Sequence, residues 1–327
     1  MQNRIIDWKL SDTRPVFARA DREFRNKTLK NFWLVIVIFL ITMVAGTLLQ
    51  MVPMVAYMIV VIVTQGEAAL ENLDATPGFM AFSLYLTVIP ILVSVLYCTL
   101  IEHRSLRTMG FTRQHCVRDY LIGLVIAIVM MGSGILLATL GGALHFDGFT
   151  FQGSVGMLIL FVIGWMIQGL SEEIVFRGYF LMSLGAKHNR WITVLVSSLA
   201  FAAAHLGNNG VTVLSVVNLT LYGAFAAIYF LRTDSIWGIA ALHSFWNCAQ
   251  GNLFGQKVSG MVLDASLFTF SQKEGYNWLH GGSFGPEGGV AITLVLLIGI
   301  TVLLLLPQRK PADTVTAAET EANSTQA

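Results

Sequence analysis

Charge is what this sequence has least of. Asp, Glu, Lys and Arg make up 12% of its 327 residues and hydrophobic residues 55%, whereas soluble domains carry about 25% charged residues. The apolar residues fall in long uninterrupted blocks, which excludes a soluble protein with a large core and leaves a polytopic membrane protein. The formal net charge of +1 gives no electrostatic case for a nucleic-acid partner. Cysteine is also scarce. Cys98, Cys116 and Cys248 are too few and too scattered for a disulfide framework or a zinc cluster, and are read as unpaired thiols. No repeat of fixed period is visible, nor an inverted repeat of the transporter kind. No cleavable signal peptide is expected, because the first 30 residues are charged throughout and the first apolar block is too long. Residues 1–31 are expected to be a cytosolic leader.

What is present is a series of span-length blocks. A membrane crossing needs about 20 apolar residues at about 1.5 Å each. Eight blocks qualify: Phe32–Thr64, Gly78–Leu100, Tyr120–Leu144, Ser154–Leu184, Trp191–Leu206, Val211–Leu231, Ser235–Phe254 and Gly289–Leu306. The first would be about 50 Å long as one helix, with Pro53 expected to kink it. Loop charges test this count through the excess of Lys and Arg on the cytoplasmic side. Residues 1–30 hold eight Lys or Arg. Loop 65–77 holds none, whereas loop 101–119 holds Arg104, Arg107, Arg113 and Arg118. Loop 145–153 carries only Asp147; Lys187 and Arg190 follow the fourth block, Arg232 the sixth, and Arg309 and Lys310 the last. Basic and non-basic loops alternate, as eight spans with both termini in the cytosol require. Splitting the first block would break the pattern. The expected fold is all-α, a polytopic transmembrane helix bundle over 32–306, with a disordered cytosolic tail at 307–327 rich in Ala, Thr and Glu.

Against that background a few polar residues stand out. Glu172 and Glu173 follow an uncharged run from Ser154 to Leu170. An ionised group at that depth costs about 2.5–3.5 kcal/mol even on lenient insertion scales. Glu173 and Arg177 are i, i+4 on one helix and can pair. Glu172 is rotated by about 100°, so it cannot share that arginine equally well and is free for work; its face also carries Gln168 and Phe176. His205 sits in Phe201-Ala-Ala-Ala-His205, where small residues let another helix approach closely. His243 and Asn247 are i, i+4 on another span, side by side as potential hydrogen-bond donors to one oxygen. Counting from the nearest cytosolic loop, Glu173 and His205 lie about 18–22 Å deep and His243 about 13 Å deep; tilt covers that gap.

Two chemistries suit this set. A carboxylate and a histidine sharing a water make it a nucleophile, while His243 and Asn247 supply donors for an oxyanion. Alternatively, Glu172, His205 and His243 offer one oxygen and two nitrogen ligands for a catalytic Zn2+ with an open position. Either way the product is an activated water in the membrane, suited to cutting a peptide bond. Acidic and histidine residues in spans also form proton relays, so a proton-coupled transporter is the rival from another class. A non-catalytic membrane partner is the third reading.

The motifs Glu172-Glu173-x-x-x-Arg177, Phe201-x-x-x-His205 and His243-x-x-x-Asn247, in this order on separate apolar spans, resemble those of the CAAX-protease and bacteriocin-processing family. These integral-membrane proteases are also called the Abi or type II CAAX prenyl endopeptidase family. The similarity covers about residues 90–250 and takes in the stretch from Glu102 to Thr112. It implies that Glu172 and His205 activate water, that His243 and Asn247 form the oxyanion site, and that Glu173 and Arg177 are structural or orienting. Both a zinc-assisted and a metal-free glutamate mechanism are compatible with the family. The resemblance also implies a multi-pass protein of a bacterial plasma membrane that acts on a peptide or membrane-protein substrate, in peptide processing, bacteriocin immunity or surface-protein regulation.

Other polar residues have plainer readings. His103, His115 and His188 are expected to be solvated in cytosolic loops, and His145 and His280 on the other side. The glycosylation patterns at Asn26 and Asn323 fall on cytosolic segments and are discounted; Asn218, inside a span, is expected to bind helices together. Gly132, Gly134, Gly141 and Gly142 are expected to serve close helix packing. The topology itself is testable. Alkaline phosphatase fused after Glu71 should be active outside the cytosol, and a fluorescent protein fused to the C-terminal tail should fluoresce inside it; the reverse pattern would contradict both termini being cytosolic.

Overall fold

The computed structural model describes residues 31–73, 76–263 and 265–306. The expected leader and tail, with Arg309, Lys310 and the Asn26 and Asn323 sites, lie outside the described residues. All eight apolar blocks are helical: α1 (Phe32–Gln65), α2 (Pro77–Ile101), α3 (Cys116–Leu140), α4 (Val155–Gly185), α5 (Arg190–Ala204), α6 (Val213–Thr233), α7 (Ile236–Cys248, continued by a wide turn Ala249–Leu253) and α8 (Val290–Leu305). Five of these, α1, α2, α3, α4 and α6, are long and apolar enough to cross a membrane, and α5 and α8 are shorter apolar helices.

Local sequence explains where the helices begin and end. Side chains of Asn31, Thr76, Ser154 and Asn189 each accept from a backbone N–H in the first turn of α1, α2, α4 and α5, satisfying donors that helix geometry leaves unpaired. Thr212 and Ser215 form a reciprocal capping box at the start of α6. The first block is one continuous helix of 34 residues with Pro53 inside it. α4 changes character just after the two glutamates. Its α-helical turns end at Glu173, and Ile174–Leu181 follow as a π-helical stretch in which every residue is buried. Such wide turns concentrate at functional sites.

α7 is the centre of the bundle and packs mainly on α3 and α4. A side-chain carbon on Gly123 of α3 would fall 1.9 Å from the Gly238 carbonyl oxygen of α7. One on Gly169 of α4 would fall 2.5 Å from the Ser244 backbone nitrogen. These contacts leave no room for anything larger than hydrogen, and they bring α3 and α4 each against α7 backbone to backbone. α1 lies at the periphery, where Phe39 stacks on Phe180 of α4 at 3.9 Å between ring centres. The far end of α4 is anchored by a buried polar knot. Arg104 donates to Glu102 at 2.6 Å and to Ser183 at 3.0 Å, and the Ser183 hydroxyl contacts Glu102 at 2.9 Å. Arg104, counted above as a loop charge, is thus internally neutralised.

The structure departs from the all-α expectation outside the bundle. Leu144–Phe149 and Phe268–Gln272 form a two-stranded antiparallel sheet, β1 and β2, with an irregularity between Phe146 and Gly148. The third helix therefore stops at Leu140, short of Leu144. Gly142, at φ 70°, turns the chain into β1 and has nothing near it to pack against, so its role is the turn. Gly134, by contrast, abuts Ile292 as a packing glycine should. His280 corrects the expectation of solvation: it is buried, with Nδ1 accepting from Gly282 N–H and Nε2 facing the Lys273 carbonyl. The long segment between α7 and α8 folds back on the bundle, which shields it. His103, His115 and His145 are exposed as expected, whereas His188 is only half-exposed, its ring edge-on to Phe32. Asn218 is buried, donating to the Glu287 and Gly289 carbonyls and accepting from Thr293.

The α4–α7 crossing yields a prediction. Gly169→Val should destabilise the fold by about 1–3 kcal/mol as an overpacked substitution, read as a lower unfolding temperature in detergent. Gly132→Ala, whose added carbon meets only Phe254 at 3.5 Å, should be tolerated. Equal stability of the two variants would contradict this packing.

Candidate active site

The site is built on a chain of polar contacts inside an apolar bundle. Glu173 is fully buried, and its Oε1 accepts from Arg177 at 3.0 Å and from His243 Nδ1 at 2.7 Å. An ionised carboxylate only accepts, so the Nδ1 position of His243 carries a proton. The Arg177 guanidinium also donates to the Gly223 carbonyl of α6 and lies 4.6 Å from the centre of the Phe201 ring. One buried ion pair therefore connects α4, α5, α6 and α7.

Glu172 points elsewhere, as its rotation on the helix requires. Its Oε1 accepts from Gln168, one turn earlier. Its Oε2 makes no hydrogen bond and lies 3.6 Å from His205 Nε2 and 3.7 Å from His243 Nε2. His205 occupies the C-cap of α5, and its Nδ1 lies 2.8 Å from the Phe201 carbonyl oxygen. A carbonyl oxygen only accepts, so Nδ1 holds a proton, and in the neutral form of the ring Nε2 presents a lone pair towards Glu172. The Glu172 and His205 side chains retain 23% and 14% exposure, while the Glu172 Oε2 atom itself is buried. Asn247 donates to Gln168 at 2.9 Å and thus joins Glu172 through that amide.

These groups line one cavity of about 510 Å³ that also takes in Tyr222 of α6, Gln50 of α1, the Asn208–Asn209 turn and Glu287. Glu172, His205 and His243 meet as sequence reasoning expected, with Asn247 on the same wall. Glu173 pairs with Arg177 as expected, and its bond to His243 is additional. Sequence reasoning placed Gln168 on the Glu172 face without giving it a part. Its i, i+4 spacing to Glu172 was the available signal. Tyr222 was missed, since an aromatic residue in an apolar span gives no signal of its own.

The donor set of Glu172, His205 and His243 is chemically suited to zinc. Among the described residues, however, no group of three or more His, Cys, Asp or Glu is arranged to hold a metal ion.

The chain is thus a helical bundle with span-length apolar helices around a buried carboxylate–imidazole cavity. Residues 153–249 match the family model described as Type II CAAX prenyl endopeptidase Rce1-like, so over that segment the chain is similar to the type II CAAX prenyl endopeptidases. The matched segment holds α4 to α7 and with them all three motifs. No curated protein and no solved structure matches the chain.

The ion pair at the base of the site gives a stability prediction. Arg177→Met leaves Glu173 buried without its cation and should cost about 3–5 kcal/mol. The double variant Arg177→Met, Glu173→Gln should recover most of that loss. Thermal unfolding in detergent measures both, and a double variant worse than the single would contradict the pairing.

Proposed function

We propose that this protein is an intramembrane endopeptidase in which Glu172 and His205 activate a water directly. The observation that carries this reading is the uncommitted Oε2 of Glu172 facing two imidazole nitrogens at 3.6 and 3.7 Å. Those gaps are too wide for direct hydrogen bonds and suit one intervening water. Glu172 takes a proton from that water as it attacks the peptide carbonyl, with the His205 lone pair holding the second hydrogen. The proton passes from Glu172 to the departing amine nitrogen, so that water and peptide give an acid and an amine.

Glu173 has a supporting part, fixing the orientation and tautomer of His243. Asn247 has one Nδ2 proton engaged by Gln168 and a second left to donate to the developing oxyanion. His243 adds a donor from Nε2 when its ring is doubly protonated. On this reading all eight helices cross the membrane with both ends in the cytosol, and the substrate is a peptide or membrane protein of a bacterial plasma membrane. The roles in processing, bacteriocin immunity or surface-protein regulation follow from family resemblance, and the site geometry favours none of them over the others. The transporter reading is the less favoured one, because the polar residues of the three motifs converge on one cavity.

The test is peptide cleavage by purified protein. Glu172→Gln and His205→Ala should each lower kcat by about 10²–10⁴-fold, the usual contribution of a positioned acid or base. Equal cleavage by both variants and the wild type would overturn the assignment. A chelator should leave the wild-type rate unchanged; loss of activity that zinc restores would move the reading to the metal-assisted route.

A further inference from the structure

The cavity holds one more reactive group. Of the residues lining it, two carry a buried polar atom without a hydrogen-bond partner among the described residues: Glu172, through Oε2, and Tyr222, through its phenolic oxygen. One is an acceptor and the other a donor. Polar atoms shut away from water are ordinarily paired, so each exception calls for a reason. For Glu172 that reason is the attacking water. The same logic gives Tyr222 a partner that arrives with the substrate.

The packing around Tyr222 fixes where its ring stands. Its side chain is 5% exposed on α6, with ring centres 5.1 Å from His243, 5.4 Å from Trp246 and 5.6 Å from Phe201. Three rings hold it in place, all belonging to motif residues or their neighbour, so the hydroxyl has little freedom to turn towards another partner.

The tautomers of the two histidines show what the site otherwise lacks. His205 and His243 both hold their Nδ1 proton against a fixed oxygen, of Phe201 and Glu173 respectively. In their neutral forms both therefore present lone pairs to the cavity and donate nothing there. Asn247 has spent one of its two amide protons on Gln168. A tetrahedral oxyanion needs donors placed in advance, and the Tyr222 O–H is a cavity donor that no other residue has claimed.

Resting on the endopeptidase reading above, we propose that Tyr222 is a further catalytic residue, donating its phenolic proton in a hydrogen bond to the carbonyl oxygen of the scissile peptide. The hydrogen bond strengthens as negative charge develops and relaxes as the tetrahedral intermediate collapses. The O–H bond of Tyr222 does not break, and the proton traffic stays with Glu172.

The experiment uses the full-length protein in detergent and the best-cleaved member of a quenched-fluorescence peptide library. Tyr222→Phe keeps the ring and should leave the unfolding temperature and KM near wild type while kcat falls by about 10²–10³-fold, as for loss of one oxyanion donor. A Tyr222→Phe variant with wild-type kcat overturns the inference while leaving the protease reading intact. Absence of cleavage by the wild type overturns the protease reading and this inference together. A second measurement holds even if the phenylalanine variant folds poorly. With 3,5-difluorotyrosine at position 222 the phenol is a stronger hydrogen-bond donor, so kcat at a fixed neutral pH should change while KM stays near wild type; an unchanged kcat overturns the inference.

Discussion

The buried Glu173 carboxylate, held between Arg177 and His243, is the contact on which the rest of the site depends. It answers two problems with one group. A charge inside an apolar bundle is tolerable only with a partner, and Arg177, one helical turn away, supplies it at 3.0 Å. The same Oε1 then fixes His243 on a helix far away in sequence, at 2.7 Å. Because Arg177 also reaches the Gly223 carbonyl and the Phe201 ring, the pair sets the relative positions of all four helices that carry or flank the motifs. Adjacent glutamates thus divide the work by rotation alone: one faces the ion pair, the other the cavity.

Two further constraints support that arrangement. Gly169 allows α4 to approach the backbone of Ser244, next to His243, so that the Glu173 carboxylate meets the imidazole directly. Gln168 links Glu172 to Asn247 across the same crossing. At the far end of α4, the Glu102–Arg104–Ser183 knot holds the helix against the loop after α2. The Glu172 carboxylate therefore sits on a helix restrained on both sides, as the proposed chemistry, which needs its geometry kept within fractions of an ångström, requires.

Much of this was legible in the sequence, for reasons that are local. Hydropathy alone locates the eight helices, since a long apolar block must satisfy its backbone polar groups internally. The Glu173–Arg177 pair follows from helical spacing, and the freedom of Glu172 from the 100° offset between neighbours. What was not legible depends on contacts between distant segments. The β1–β2 sheet pairs Leu144 with Gln272, and no short-range pattern announces a partner that far along the chain. Burial of His280 follows from the segment between α7 and α8 folding back on the bundle. The Glu173–His243 bond and the orphaned hydroxyl of Tyr222 likewise appear only once α4, α6 and α7 are packed together.

The most direct test of the account is an experimental structure at a resolution that shows ordered water. The account predicts a single density peak about 2.6–3.2 Å from both Glu172 Oε2 and His205 Nε2, the reach of a general base to its water. A Glu172 carboxylate turned towards lipid, or bonded directly to an imidazole with no density between, would contradict it.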